Sequence, residues 1–283
     1  MDINGYALVI GGGNGIGKAS ALAFAKSGAL GVTVADLNLE DARKVAQECT
    51  AVAANPKFSV VAQHVDVTSE VSVRETAEHA IQVFGRIDYC VNSAGVSPLL
   101  FHPSMVGVQN ALEISDAHVD EFQHMLDTNV TGTFLVTKLV STVMRSQEAR
   151  LNDAAMPQRG TTRGTIVNLG SASSFASSPG MAHYTTSKFA VLGLTKNAAL
   201  DNAVHGIRVN CVCPSWVDTL MVRQAIENVP GLGEQIKSAV PMGRMATPEE
   251  VADAVIFMSS PRSSYVTGCR FIIDGGTTLT THV

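Results

Sequence analysis

Short apolar runs rich in valine and isoleucine alternate along the chain with longer segments whose apolar residues recur at the helical period. Seven runs are predicted as strands: residues 6–10, 32–35, 58–64, 87–92, 164–169, 207–212 and 270–273. Helices are predicted between them, at residues 19–26, 41–54, 69–84, 116–144, 181–204 and 248–258. Because neighbouring parallel strands must be joined by crossovers, the alternation predicts an α/β fold, a doubly wound parallel sheet of about seven strands with helices on both faces.

Length and composition favour one domain with a large core. The 283 residues are 46% hydrophobic and 16% charged, and residues 1–283 are predicted as a single domain. The net charge of −5 argues against nucleic acid or an anionic membrane as a partner. No apolar stretch reaches the roughly 20 residues of a membrane span, and the amino terminus lacks the pattern of a secretory signal.

The cysteines predict reduced thiols and a cytoplasmic protein, since they are odd in number and scattered through apolar runs. They are Cys49, Cys90, Cys211, Cys213 and Cys269. Cys211 and Cys213 have the spacing of a metal pair, but a Cys-x-Cys in a strand without further ligands nearby favours core packing. No metal site is predicted.

A glycine-rich turn follows the first predicted strand and opens the first helix. Its pattern is G-x-x-x-G-x-G, formed by Gly11, Gly15 and Gly17. Backbone approaches a pyrophosphate closely only where side chains are absent, and a helix amino terminus presents N–H groups and a positive dipole end. This context favours a dinucleotide site that includes Asn14 and Ile16 over a purely structural tight turn.

Asp36 ends the second predicted strand, where a carboxylate accepts hydrogen bonds from the adenosine ribose and repels a 2′-phosphate. We therefore expect NAD(H) as cofactor, with NADP(H) less favoured. The opposite preference would require Arg43 or Lys44 to fold toward the site. Helix capping or a solvated carboxylate is the alternative interpretation of Asp36.

Asp66 and Val67 follow the third predicted strand and are candidates for binding the adenine amino group through side chain and backbone. Asp66 has an equally good alternative as the cap of a helix that begins at Ser69. The sequence leaves these two interpretations open.

Tyr184 and Lys188 form the clearest reactive pair in the chain. They are four residues apart in a predicted helix, so they lie on one face. An adjacent ammonium favours the deprotonated phenol, which suits proton transfer to or from an alcohol oxygen. Ser171 lies thirteen residues upstream of the tyrosine, after the fifth predicted strand.

In this order the residues resemble the short-chain dehydrogenase/reductase family, of the type called classical, over almost the whole chain. The resemblance is carried by the glycine turn, the Asn-Ser-Ala-Gly sequence at 92–95, Asn129, Ser171, Tyr184 with Lys188, Pro214, and the Asp-Gly-Gly sequence at 274–276. It implies one Rossmann-type domain, a nicotinamide cofactor and hydride transfer to or from a carbonyl or alcohol carbon. It also implies a homotetramer or homodimer, paired through residues 116–144 and 181–204.

The family pattern implies a catalytic tetrad of Asn129, Ser171, Tyr184 and Lys188. By this resemblance Ser171 orients the substrate oxygen and Tyr184 exchanges its proton. Lys188 supports the tyrosine and holds the nicotinamide ribose, while Asn129 fixes a relay water. Further cofactor contacts implied by the resemblance are Asn92, Ala94, Gly95, Pro214, Val217 and Thr219, in addition to Tyr184 and Lys188.

The chain departs from the family pattern at four positions: Ile10, Ser93, Gly170 and Ser215 replace threonine, asparagine, serine and glycine. None of these positions belongs to the tetrad. His183 precedes Tyr184 and is predicted to lie at the pocket edge or surface, because adjacent helix positions face different directions.

Three segments interrupt the alternation of strands and helices. Residues 97–115 follow the fourth strand and are expected to wall a substrate pocket, whereas residues 146–163 are expected to form a solvated loop without function. Residues 216–244 are expected to cover the substrate, and apolar members such as Trp216 and Met221 indicate a hydrophobic pocket. A subunit contact is the alternative for these apolar residues.

The leading hypothesis is an NAD(H)-dependent oxidoreductase that interconverts a secondary alcohol and a ketone on an apolar or cyclic small molecule, with secondary metabolism as the expected setting. One alternative is an isomerase or epimerase that uses bound NAD for transient oxidation. Another is a dinucleotide sensor without turnover, which the intact tetrad disfavours.

Overall fold

The computed structural model describes residues 3–97 and 113–279. Its main sheet is parallel throughout, in the order β3-β2-β1-β4-β7-β8-β9. The strands of this sheet are Tyr6–Ile10 (β1), Gly31–Asp36 (β2), Ser59–His64 (β3), Tyr89–Asn92 (β4), Gly164–Leu169 (β7), Ile207–Pro214 (β8) and Arg270–Ile273 (β9). The predicted doubly wound sheet is confirmed.

Helices connect the strands and cover both faces of the sheet. They are Gly15–Lys26 (α1), Leu39–Val52 (α2), Glu70–Phe84 (α3), Val119–Leu126 (α4), Gly132–Ser146 (α5), Ala182–Ala203 (α6), Leu220–Asn228 (α7), Leu232–Ala239 (α8) and Pro248–Ser259 (α9). Several helix starts are fixed by side chains that accept bonds from the first N–H groups. Asn38 caps α2 and Ser69 caps α3, while Thr247 and Glu250 form a capping box on α9.

Successive residues of the central strands pack into opposite layers of the core, because side chains alternate between the two faces of a strand. Val9 of β1 packs in the layer that contains Phe24 of α1 and Val255 of α9. Leu8, its neighbour, packs in the layer that contains Val136 of α5. The central strands are therefore buried on both faces, which is why they read as nearly continuous apolar runs.

The order of the strands defines where a ligand can bind. From β1 the chain moves outward to β2 and β3, and then returns to place β4 on the other side of β1. At such a reversal the crossovers diverge and leave a crevice outside the carboxyl ends of the strands. The glycine turn after β1 and the residues that follow β4 border this crevice.

The long predicted helix at 116–144 contains an irregularity that the periodicity did not indicate. Between α4 and α5, residues Asp127–Thr131 form a π-helical turn, and the helix as a whole begins at Val119. Single π turns inside α-helices occur frequently at functional sites.

The segment at 146–163 was predicted to be a solvated loop, but part of it forms a hairpin. Arg150–Leu151 (β5) and Thr161–Thr162 (β6) pair as a small antiparallel hairpin. Arg159 Nη1 donates to the carbonyl of Pro261 at 2.9 Å, and Arg163 Nη1 donates to that of His205 at 3.0 Å. These bonds attach the hairpin to the body of the protein.

The segment at 216–244 forms two short helices with their own apolar cluster. Val222 and Ala225 of α7 are buried against Leu232 and Ile236 of α8. Pro230 and Gly231 lie in the break between the two helices. Across residues 3–97 and 113–279, no helix is both long enough and apolar enough to span a bilayer.

We predict that Leu8→Ala lowers the free energy of unfolding by about 2–5 kcal/mol, because it leaves a cavity in the core below β1. Leu8 is 1% exposed. The same change at Leu37, which is 68% exposed, should alter stability by less than about 0.5 kcal/mol. Urea titration followed by circular dichroism measures both, and equal losses would contradict the proposed burial of β1.

Candidate active site

The glycine turn between β1 and α1 is shaped so that only glycine fits at its key positions. Gly11 and Gly15 have φ of 72° and 51°, in the left-handed region that glycine adopts without strain. A Cβ on Gly17 would lie 1.9 Å from the carbonyl oxygen of Gly11. Asn14 occupies the N-cap position of α1, but its side chain caps no N–H group. The first N–H groups of α1, at Gly15 to Gly17, are thus available to an anionic ligand.

Asp36 is held against the glycine turn. Its Oδ2 accepts from the N–H of Gly13 at 2.8 Å, and its Oδ1 accepts from the N–H of Asn38 at 2.9 Å. Since Asn38 caps α2 with its own side chain, helix capping is not the role of Asp36. A carboxylate oxygen has two lone pairs, so each oxygen keeps acceptor capacity for a hydroxyl.

The two basic residues closest in sequence to Asp36 are engaged elsewhere. Arg43 pairs with Glu40, and Lys44 Nζ lies 3.0 Å from Asp41 Oδ1. Both pairs lie on the exposed surface of α2. Neither cation folds onto the Asp36 carboxylate.

Asp66 forms a local turn after β3. Its Oδ1 accepts from the hydroxyl of Thr68 at 2.7 Å and from its N–H at 2.9 Å. These two bonds hold the pKa of the Asp66 carboxyl below its ordinary value. Ser69 is the residue that caps α3, so the alternative of Asp66 as a helix cap is wrong. Val67 is buried against Gly132 at the start of α5.

Tyr184 and Lys188 lie on one face of α6, as predicted from their spacing. The Lys188 ammonium is 5.6 Å from the centre of the tyrosine ring. It donates to the carbonyl of Leu169, the last residue of β7, at 3.0 Å. Lys188 is only 7% exposed, and its ammonium pairs with no carboxylate within the described part of the chain.

Ser171 follows β7 directly and is linked to the helix that carries the tyrosine. Its N–H donates to Ser174 Oγ at 3.2 Å, and the Ser174 hydroxyl donates to the carbonyl of Lys188 at 2.8 Å. The Ser171 hydroxyl oxygen accepts from the N–H of Ser173 at 3.1 Å. The hydroxyl proton therefore stays available for donation.

Asn129 lies in the π-helical turn and ties three segments together. Its Oδ1 accepts from the N–H of Val96 at 2.8 Å, and its Nδ2 donates to the Val96 carbonyl at 3.0 Å. Nδ2 also donates to Ser187 Oγ at 3.0 Å, and the Ser187 hydroxyl donates to the carbonyl of Tyr184 at 2.8 Å. The amide therefore connects the chain after β4 to the turn of α6 that carries the tyrosine.

Asn92, at the end of β4, is buried below this network. Its Nδ2 donates to Thr133 Oγ1 at 3.1 Å, and the Thr133 hydroxyl donates to the carbonyl of Asn129 at 2.7 Å. Its Oδ1 is buried without a hydrogen-bond partner among the described residues. The side chain of Asn92 thus contacts α5 and supports the π turn.

Ala94 and Gly95 lie between the glycine turn and the tetrad. A Cβ on Gly11 would lie 2.6 Å from the Ala94 nitrogen. A Cβ on Gly95 would lie 3.1 Å from Asn129 Oδ1 and 3.7 Å from Lys188 Nζ. The stretch after β4 therefore contacts both groups of predicted residues and joins them into one site.

The residues after β8 close the other side of the crevice. Pro214 is the last residue of β8, and Val217 is buried and bridged to Ala246. Thr219 caps α7, and its Cγ2 lies 3.2 Å from the position a Cβ on Gly15 would occupy. The glycine turn is therefore in contact with the segment that begins the α7–α8 cover.

His183 was predicted to lie at the pocket edge or the surface, and the surface alternative is wrong. It is 6% exposed, with its ring 6.4 Å from that of Phe122, and neither ring nitrogen has a hydrogen-bond partner among the described residues. The reason is the contact of α4 with α6, which covers the face of α6 that bears His183 and Ser187.

The segment at 97–115 was expected to wall a substrate pocket. Of this segment, residues 98–112 lie outside the described residues.

Gly170 explains one departure from the family pattern. A Cβ on Gly170 would lie 2.7 Å from Cys211 Sγ and 2.8 Å from Cys213 Sγ. The two sulfurs are 3.6 Å apart and buried, as the prediction of core packing requires. They fill the space beside the backbone that leads to Ser171, so a serine does not fit there.

Several supporting residues were not predicted from the sequence. Ser174 and Ser187 each link two members of the tetrad, Thr133 links Asn92 to Asn129, and Asn38 orients Asp36. Ser187 and Thr133 had a signal, since each lies three or four residues from a tetrad member on a helix and bonds to its carbonyl. Ser174 and Asn38 had none beyond their loop composition.

Comparison with known proteins identifies the family. A family model described as enoyl-(acyl carrier protein) reductase matches residues 11–278. The short-chain dehydrogenase fogB of Aspergillus ruber is 59% identical over 280 residues, covering 99% of each chain. The chain belongs to the short-chain dehydrogenase/reductase family. Members of this family use nicotinamide dinucleotide cofactors.

More distant members of the family match over the same length. The 2,5-dichloro-2,5-cyclohexadiene-1,4-diol dehydrogenase of Sphingobium indicum is 34% identical over 278 residues, covering 98% of each chain. A crystal structure of a short-chain type dehydrogenase/reductase from Mycobacterium marinum superposes with a TM-score of 0.82 at 32% identity, covering 99% of this chain and 98% of that one. The residues of this chain fit the family's cofactor, because the glycine turn leaves no room for side chains and leaves the start of α1 uncapped.

We predict that Gly17→Ala raises the dissociation constant of NADH at least about tenfold. The added Cβ must displace the Gly11 carbonyl, and one lost bond to a charged group costs about 1.5–3 kcal/mol. Gly193→Ala is the matched control, since a Cβ there meets nothing within 4 Å. It should leave the NADH affinity unchanged and stabilise α6 by up to about 1 kcal/mol. Fluorescence titration measures the affinities, and equal affinities in the two variants would contradict the tight turn.

Proposed function

We propose that the protein is an NAD(H)-dependent oxidoreductase that interconverts a secondary alcohol and a ketone on an apolar or cyclic small molecule. The observation that carries the proposal is the meeting of Asn129, Ser171, Tyr184 and Lys188 at the carboxyl edge of the sheet, linked through hydrogen bonds and bordering Gly95. A relative named as a dehydrogenase of a cyclic diol supports a cyclic substrate.

Ser171 and Tyr184 supply the acid–base chemistry in this proposal. The Ser171 hydroxyl donates a hydrogen bond to the substrate oxygen and thereby orients it. Tyr184 takes the alcohol proton during oxidation and returns it during reduction. A bound nicotinamide supplies the acceptor or donor of the hydride.

Lys188 and Asn129 support the tyrosine. An ammonium has three N–H donors, and the bond to Leu169 leaves two for a ribose hydroxyl and a water. Both N–H groups of the Asn129 amide are used by Val96 and Ser187, so the amide binds a relay water only through the second lone pair of Oδ1. The Lys188 ammonium lies 5.6 Å from the centre of the Tyr184 ring.

Asp36 supports the preference for NAD(H). Its carboxylate is fixed by two N–H groups, so it faces a ribose hydroxyl without an entropy cost for ordering, and it repels a 2′-phosphate. NADP(H) binding would require Arg43 or Lys44 to turn toward the site, and both are instead paired with acidic neighbours on α2. Cofactor contacts of Asp66, Val67, Pro214, Val217 and Thr219 remain part of this proposal.

The cover formed by α7 and α8 supports an apolar substrate. Trp216 packs against the apolar cluster of the two helices, and Leu220 is 55% exposed at the start of α7. Met221 Sδ lies 3.0 Å from the hydroxyl of Ser97, at the beginning of the segment after β4. An apolar wall over the tetrad binds a ring by burial rather than by charge.

We predict that Tyr184→Phe lowers kcat at least about a hundredfold on the best substrate from a panel of cyclic and aromatic alcohols and ketones, because acid–base catalysis contributes about 10²–10⁴. Tyr265→Phe is the matched control on a fully exposed tyrosine and should retain full activity. Absorbance of the reduced nicotinamide follows the reaction, and fluorescence titration should show that Tyr184→Phe still binds NADH, so that the loss lies in kcat.

The isomerase or epimerase and the dinucleotide sensor are distinguished from the oxidoreductase by their results with the wild-type protein and with Tyr184→Phe. Substrate conversion without net change in nicotinamide absorbance would replace the oxidoreductase with an isomerase or epimerase. A biological function that survives Tyr184→Phe would favour the dinucleotide sensor.

We also propose self-association through the outer faces of α5 and α6. Phe189 and Leu200 lie on one face of α6 and are 47% and 74% exposed, and Phe134 of α5 is 49% exposed. Large apolar side chains exposed along a helix face mark a contact surface when they adjoin one another.

We predict that the wild-type protein is a homodimer or homotetramer by light scattering, and that Leu200→Glu shifts it toward smaller species, because a buried carboxylate opposes association. Val71→Glu on α3, which is 59% exposed, is the control and should leave the assembly intact. A monomeric wild-type protein would overturn the proposed interface.

A further inference from the structure

Two aspartate side chains, those of Asp36 and Asp41, lie beside the glycine turn. A Cβ on Gly13 would lie 2.9 Å from Asp36 Cγ and 3.1 Å from the Cβ of Asp41. Asp41 belongs to the first turn of α2, five residues after the strand end from which Asp36 projects. Both side chains therefore border the same glycine of the cofactor turn.

Asn38 joins the two carboxylates into one unit. Its N–H donates to Asp36 Oδ1 at 2.9 Å, and its Nδ2 donates to Asp41 Oδ2 at 2.8 Å. The Asn38 side-chain oxygen accepts from the N–H groups of Glu40 and Asp41, so the asparagine is itself fixed by the helix it caps. Asp41 is consequently oriented as firmly as Asp36.

Asp41 also holds the nearest lysine of α2. Lys44 Nζ lies 3.0 Å from Asp41 Oδ1, and the side chain of Lys44 is 70% exposed while that of Asp41 is 29% exposed. An exposed ion pair of this kind contributes little to stability, so Lys44 would turn to a stronger anion if Asp41 were neutral. Asp41 thus adds one negative charge near the turn and holds the positive charge of Lys44 in an ion pair on α2.

We propose that Asp41 is a second determinant of cofactor choice, which acts with Asp36 to exclude a 2′-phosphate. The inference rests on the proposed nicotinamide function. A phosphate carries about −1.5 to −2 charge at neutral pH, so a fixed carboxylate near the adenosine ribose repels it, whereas the 2′-hydroxyl of NAD(H) is neutral. The bond between Asp41 and Lys44 withholds from the phosphate the cation that would attract it.

The test is the change in the dissociation constants of NADPH and NADH on Asp41→Asn, measured by nucleotide fluorescence without any substrate. Asparagine keeps the shape of the side chain and an acceptor for Asn38. We expect NADPH to bind about fivefold more tightly at low ionic strength, and NADH to change less than about twofold. The gain for NADPH should shrink at high salt, because exposed charges are screened.

Two further variants separate charge near the turn from charge in general. Glu40→Gln removes one negative charge from the same helical turn, on a side chain paired with Arg43 rather than placed against Gly13. It should leave the NADPH affinity unchanged. Lys44→Met leaves Asp41 in place without its cation, and it should weaken NADPH binding. Melting temperature without nucleotide establishes that each variant is folded.

The outcomes distinguish this inference from the proposed function. Equal gains for NADPH in Asp41→Asn and Glu40→Gln, or no gain in Asp41→Asn, would overturn the role of Asp41 and leave the NAD(H) preference intact. A wild-type protein that binds NADPH as tightly as NADH would overturn that preference. In this second case the shift of Asp41→Asn relative to wild type still decides whether Asp41 opposes the phosphate.

Discussion

The close approach of backbone to backbone at the glycine turn is the contact on which the rest of the site depends. A Cβ on Gly17 would lie 1.9 Å from the Gly11 carbonyl, and one on Gly11 would lie 2.6 Å from the nitrogen of Ala94. With no side chains between them, β1, α1 and the chain after β4 meet at van der Waals distance. This contact sets where α1 begins and brings the residues after β4 beside the turn, where they also reach Asn129 and Lys188.

A chain of buried hydrogen bonds carries that arrangement to the tetrad. Asn92 bonds to Thr133, Thr133 bonds to the Asn129 carbonyl, and the Asn129 amide bonds to Val96 and Ser187. Asn129 lies within the π turn between α4 and α5, and from there its amide bonds to Ser187 of α6. These buried hydrogen bonds restrict the geometry of the groups that they join, and Asn92 Oδ1 is the member of the network that has no partner among the described residues.

The sequence predicted the elements well wherever local pattern and global packing agree. The strands at β1, β7 and β9 have the predicted limits, since each is an apolar run bounded by turn residues. The π turn at 127–131 and the hairpin at 150–162 were not foreseen, because they depend on contacts with distant parts of the chain. The surface alternative for His183 was wrong for the same reason. Its burial comes from α4, which lies some sixty residues earlier in the chain, and no helical period reports on such a neighbour.

Gly170 illustrates how an apparent loss in the family pattern is resolved by packing. The sequence alone presents a glycine where the family pattern has a serine next to Ser171. In the structure the sulfur atoms of Cys211 and Cys213 fill the space that a side chain would need. These cysteines lie two residues apart on the neighbouring strand, β8. The hydrogen bond that it shares with Cys213, and its burial, raise the pKa of the Cys211 thiol, so it stays protonated and packs as an apolar group. The absence of a side chain at Gly170 therefore leaves room for the two cysteines beside the backbone that leads to Ser171 at the end of β7.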